Sequence, residues 1–119
     1  MSDRDEGLER LLDLDGFLAG VGGGYWVKFA VRRVPADAAR PHGLAYTLTL
    51  HELGGQRVFG IDNAHMARMT SGPAGRSSAV RDHLHRNETV RPYVYRDANT
   101  LMDDFWREVA AILKKKGIQ

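Results

Sequence analysis

Residues 44–62, LAYTLTLHELGGQRVFGID, decide the fold. Leu44, Tyr46, Leu48 and Leu50 alternate with Ala45, Thr47, Thr49 and His51, the period-2 pattern of a strand with one buried face. Gly54-Gly55 then signals a two-residue hairpin, because both central positions of a type I′ turn need positive φ. With Leu53 facing Gln56, Leu50 meets Phe59, Leu48 meets Ile61, Thr49 meets Gly60, Thr47 meets Asp62 and His51 meets Val58. Turn chemistry and apolar matching select the same register.

Working outward, residues 25–34 (YWVKFAVRRV) alternate as well. Tyr25, Val27, Phe29 and Val31 share one face, and Trp26, Lys28, Ala30 and Arg32 the other, giving a strand with a buried side and a basic side. Upstream, Leu8, Leu11, Leu12 and Leu18 have helix-like spacing over residues 5–20, ended by the glycine run at 20–24, a connector from helix to strand. Downstream, residues 64–81 are a long loop, the periodicity of residues 82–91 is undecided, and residues 92–96 (PYVYR) read as a short strand opened by proline. Leu101, Phe105, Val109, Ile112 and Leu113 make the apolar stripe of a helix over 99–116, with Thr100 and Asp103 resembling a capping box and Gly117 a stop.

The expected architecture is α+β, one domain over 1–119. It comprises an N-terminal helical segment and connector (1–22), an antiparallel sheet of about four strands (24–96) and the C-terminal helix (99–116) on the apolar face. Strands 24–34, 43–52 and 56–63 form a meander, with Phe29, Val31, Leu44, Leu48, Leu50, Phe59, Ile61, Phe105 and Val109 in the core.

With 119 residues, 43% of them hydrophobic and 27% charged, the chain is long enough for one core and too apolar for wholesale disorder. It has no cysteine, which excludes disulfides, thiolate zinc sites and a cysteine nucleophile. No apolar run approaches the roughly 20 residues of a membrane helix, and the acidic start MSDRDEGLER is unlike a secretory signal, so a cytoplasmic protein is expected. Charge is uneven: six acids face two bases over residues 1–15, whereas eleven bases face five acids over 16–96. Thirteen of the seventeen basic residues are arginine, whose planar fork suits phosphate, so the middle of the chain points to an anionic partner.

Four of the five histidines (His51, His65, His83 and His85) fall between residues 51 and 85, beside Asp62, Asn63 and Asp82. In an extended chain His83 and His85 share a face, and a histidine beside a carboxylate can serve as general acid or base. The same His-x-His can bind a transition metal, and such residues also occur merely exposed at strand ends. The glycine run lacks a following GK[ST] and helix, so it is no phosphate loop.

Tyr46-Thr-Leu-Thr-Leu50, the hairpin, Gly60-Ile-Asp62-Asn63-Ala-His65, Asp82-His83-Leu-His85-Arg86, Pro92-Tyr-Val-Tyr95 and Asp104-Phe105 together resemble toxins of the TumE type over about residues 25–113. One departure is the 18-residue stretch between Asn63 and Asp82, where a shorter charged link is usual. The resemblance implies a bacterial growth-inhibiting toxin with a helix-turn-helix antitoxin as partner, and it carries no mechanism with it. From the residues themselves, ribonuclease chemistry is the reading with the most support. Cleaving RNA needs a base, an acid and cations for the charged transition state. His83, His85 and His51 would supply the first two, oriented by Asp62 and Asp82; Lys28, Arg32 and Arg86 would supply cations, and Tyr93 and Tyr95 would stack on bases. No cofactor and no metal is required. The alternatives are a non-catalytic inhibitory module and a metal-dependent hydrolase using His83 and His85. A homodimer through an edge strand completes the expectations.

Overall fold

A computed structural model describes residues 7–36, 42–63 and 82–118, so the expected loop 64–81 lies outside the described residues. The hairpin forms as β3 (Leu44–His51) and β4 (Arg57–Asp62). Its register is Leu48↔Ile61, Leu50↔Phe59, Thr49↔Gly60 and Thr47↔Asp62, as the apolar matching requires. At the turn end it differs. Of the two glycines only Gly55 takes positive φ (97°). The Gly55 amide donates to the Glu52 carbonyl at 2.8 Å, and the Glu52 amide donates to Gln56 at 3.0 Å. The loop therefore holds three residues instead of two, and His51 pairs with Arg57, not Val58. A three-residue loop alone would slip every downstream pair by one and turn Phe59 and Ile61 outward. A bulge at Val58 absorbs the extra residue and restores the register, so burial of the apolar pairs prevails over turn geometry.

The sheet has six antiparallel strands rather than about four, in sequence order throughout. One addition is β1 (Leu18–Gly22), which pairs Ala19 with Val27 and Leu18 with Lys28 of β2 (Tyr25–Arg33). The N-terminal helix α1 is correspondingly short, Leu8–Asp13, and the glycine run belongs to a hairpin instead of a helix-to-strand connector. Gly22, Gly23 and Gly24 all have positive φ, which lets the chain reverse there, while glycine's poor strand propensity hid β1 from the sequence. The other addition is β5 (His83–Arg86), which forms a hairpin with β6 (Thr89–Pro92), turned by Asn87 at φ 55°. The expected strand at 92–96 is thus displaced to 89–92: Pro92 ends it, and residues 93–97 carry no regular structure.

Helix α2 (Ala98–Lys115) covers one face of the sheet. Its N-cap is Asp97, whose carboxylate accepts from the Thr100 amide at 2.8 Å, so the cap lies three residues before Thr100 and the box Thr100–Asp103 is not used. At the other end Gly117 has φ 79°, and the Ile118 and Gly117 amides reach back to Leu113 and Lys114, a Schellman closure. Phe29, Leu48, Leu50, Phe59 and Ile61 from the sheet meet Leu101, Phe105, Val109 and Leu113 from α2 in one core. α1 adds the fully buried Leu11. Among the described residues no helix is long and apolar enough to cross a membrane. With α2 on one face, the polar residues of the central strands are left together on the other.

Candidate functional site

Strand alternation and register place two rows of side chains on the face away from α2. Lys28, Thr49, Gly60 and His85 form one row; Ala30, Thr47, Asp62 and His83 form the next. Because Gly60 has no side chain, its neighbours can reach across it diagonally. His85 Nε2 lies 3.3 Å from Asp62 Oδ2 and 3.4 Å from Oδ1, with both residues buried. The carboxylate accepts, so Nε2 carries a proton and Nδ1 is the basic nitrogen of His85. The His83 and His85 rings are 6.1 Å apart on the same face.

Arg57 completes the group, with Nη1 3.8 Å from Asp62 Oδ2. Simple alternation from Phe59 and Ile61 would have aimed Arg57 at the core. The bulge at Val58 turns it to the Asp62 face and gives Val58 to the apolar side, where it packs on the core. The result is a buried carboxylate bracketed by an imidazole and a guanidinium. Sequence reasoning missed Arg57 because nothing local announces the three-residue loop that makes the bulge necessary.

The remaining expected residues divide between the faces. His51 is on the Asp62 face but occupied: Nδ1 bonds the Gly55 carbonyl at 3.0 Å, Nε2 meets Thr49 Oγ1 at 2.9 Å, and the ring stacks on Trp26 at 4.1 Å. It is a fixed wall of the site. Lys28 and Arg32 are exposed on this face. Lys28 stands in the row of His85 three strands away, about 14 Å at the usual strand spacing.

Asp82, Arg86, Tyr93 and Tyr95 are on the helix side. Asp82 accepts from the Tyr46 hydroxyl at 2.5 Å and from His42 Nε2 at 3.2 Å. His42 Nδ1 accepts from the Leu44 amide at 3.2 Å, which fixes the tautomer, and Tyr95 packs 4.3 Å from the His42 ring. Burial first, then the Asp82 charge, pushes the Tyr46 hydroxyl far above the usual tyrosine range, so it remains a donor. Tyr93 donates to Asp104 at 2.6 Å, and burial followed by that bond raises it likewise. Arg86 is bound to Glu108 at 2.6 Å and lies over the Phe59 ring. This second cluster closes one end of the core; it is not brought to His85. His42, the histidine set apart from the other four in the sequence, proves to be Asp82's partner through the fold.

Among the described residues no group of three or more His, Asp or Glu side chains is arranged to hold a metal ion. What the Asp62 face offers is a proton-transfer pair with a cation beside it. A family model described as "Toxin TumE" matches residues 15–113, well over half of the chain and including every element from β1 to α2's last core turn. No curated protein and no solved structure matches the chain.

Proposed function

The chain belongs to the TumE toxin family, and from that premise we propose that it is the toxin of a bacterial toxin–antitoxin pair, cleaving RNA in the cytoplasm by acid–base chemistry on the Asp62 face. The observation that carries the chemistry is the buried Asp62 carboxylate between His85 and Arg57. His85 Nδ1 takes the proton of the ribose 2′-hydroxyl, whose oxygen attacks the adjacent phosphorus. Asp62 holds the ring by Nε2 and stabilises the imidazolium that forms. The 5′-oxygen leaves with a proton from His83, giving a 2′,3′-cyclic phosphate and a 5′-hydroxyl. Arg57 lies beside the charge that develops on the phosphoryl oxygens. Lys28 and Arg32 extend the same face with positive charge for the neighbouring phosphates. A helix-turn-helix antitoxin neutralises the activity by complex formation.

The test is RNA degradation in vitro and growth arrest on induction, for the wild-type chain and for His85→Ala, His83→Ala and Asp62→Asn, each with and without chelator. Each substitution is expected to lower cleavage by about 10²-fold or more, the usual worth of a positioned acid or base, and chelator should have no effect. Chelator-sensitive cleavage would replace this mechanism with a metal-dependent one. Undiminished cleavage and toxicity in both histidine variants would refute the acid–base assignment.

A further inference from the structure

On the helix side, away from Asp62, a groove of about 950 Å³ runs between the last two turns of α2 and the ends of the β3–β4 and β5–β6 hairpins. Its floor is apolar: Tyr25, Val58, Ala111 and Ile112 line it. One rim is Lys114, Lys115 and Lys116, all exposed, and none has an ion-pair partner among the described residues. Arg86 adds a guanidinium, already satisfied by Glu108 at 2.6 Å, so among the described residues the unpaired charges of the lining are the lysine triplet and the single carboxylate of Glu52, and the balance is positive. Favourable contact with the helix's negative end accounts for lysines here but not for an adjoining apolar floor. A space of this size over apolar side chains is in the range that holds ligand groups or anchor residues.

We propose that this groove is the docking site for an acidic, amphipathic segment of the antitoxin, with apolar residues on the Val58–Ile112 floor and carboxylates against Lys114–Lys116. The proposal rests on the reading of the chain as the toxin of a two-protein pair. Charge complementarity identifies the occupant: three unpaired ammonium groups beside an apolar floor call for alternating acidic and apolar residues. A nucleic acid fits less well. Of the floor residues only Tyr25 is aromatic, and Val58, Ala111 and Ile112 give successive bases nothing to stack on, whereas they suit apolar side chains of a peptide. Docking here leaves the Asp62 face uncovered, so the partner inhibits by a second contact or by holding the toxin in a complex.

The experiment uses the full chain and the protein encoded beside its gene as the candidate antitoxin. Two variants are compared with wild type: Lys114→Gln/Lys115→Gln/Lys116→Gln, which removes the charge, and Ala111→Trp, which fills the groove from an exposed helix position. Growth arrest by each chain alone, neutralisation on co-expression, and the affinity of the purified pair at low and high salt are measured. Both variants should arrest growth like wild type, escape neutralisation, and bind the partner about tenfold or more weaker. The lysine variant should also lose most of the salt dependence. Wild-type affinity in both variants overturns the proposal. So does a loss of binding to a single-stranded RNA oligonucleotide in the lysine variant with partner affinity unchanged. If the wild-type chain arrests no growth, the toxin reading fails, while the affinity measurement still decides the groove.

Discussion

Replacing Phe105 with alanine tests the core on which the site is built. Phe105 is fully buried, its ring edge-on to Phe29 at 5.3 Å and stacked near Phe59 at 5.7 Å. It therefore joins α2 to β2 and to β4, the strand that carries Asp62. Removing it leaves a cavity walled by residues anchored in the sheet, which cannot collapse inward, so the upper part of the usual range applies: about 4 kcal/mol. For 119 residues, an unfolding entropy near 2.1 cal/mol/K per residue gives roughly 0.25 kcal/mol/K, and the melting temperature should fall by roughly 16 °C. Thermal and urea unfolding followed by circular dichroism read both quantities, and an unchanged urea slope would show that the loss is one of stability alone. Trp106→Ala is the control: at 37% exposure the neighbouring ring should cost under about half as much. Should the alanine variant be too unstable to purify, Phe105→Leu gives a smaller shift in the same direction. A fall of less than about 4 °C for Phe105→Ala, or a larger effect for Trp106→Ala, would refute the packing described.

Two further outcomes follow from single side chains. Tyr46 is held protonated by burial and by Asp82, above the ordinary value of 10.0, so its contribution is complete below that pH and is lost as pH rises beyond it. Tyr46→Phe should be less stable at pH 8 by about 1–3 kcal/mol, from the lost bond to a buried carboxylate. It should also lose less stability than wild type between pH 9 and pH 11, Tyr93 supplying the remainder; parallel profiles in chemical denaturation would sink the idea. Gly60→Ala would place a methyl 3.2 Å from the Leu48 carbonyl, 3.1 Å from Thr49 Cγ2 and 3.5 Å from Arg57 Cδ. The Leu48 carbonyl and Thr49 must give by a few tenths of an ångström while Arg57 stays in ordinary contact, so a cost of roughly 1–3 kcal/mol is expected; a variant as stable as wild type in urea unfolding would contradict the crowding at this point.

The central hairpin, its core register and the C-terminal helix were legible in the sequence because each rests on periodicity, a property of neighbouring residues. Leu48 with Ile61 and Leu50 with Phe59 can be buried on one side in only one way, and that constraint held even against the turn. The flanking strands were not legible for an equally local reason. Glycines in β1 and the short His83–Arg86 and Thr89–Pro92 segments carry too little alternation to signal strand, and pairing with an existing edge is what makes them strands. The site shows the same division. That His83 and His85 share a face followed from parity along extended chain, whereas the β4–β5 register put Asp62 on that face. Which carboxylate each histidine meets did not follow from parity either: Asp82 is bonded to Tyr46 and His42 across the sheet, and only tertiary packing brings these together. Arg57 reaches Asp62 because a three-residue loop must be reconciled with a buried register, and the bulge that reconciles them turns one arginine over. Composition and order along the chain determined which residues form strands at the centre and helix at the end; the energy of burying their apolar sides decided where the polar ones meet.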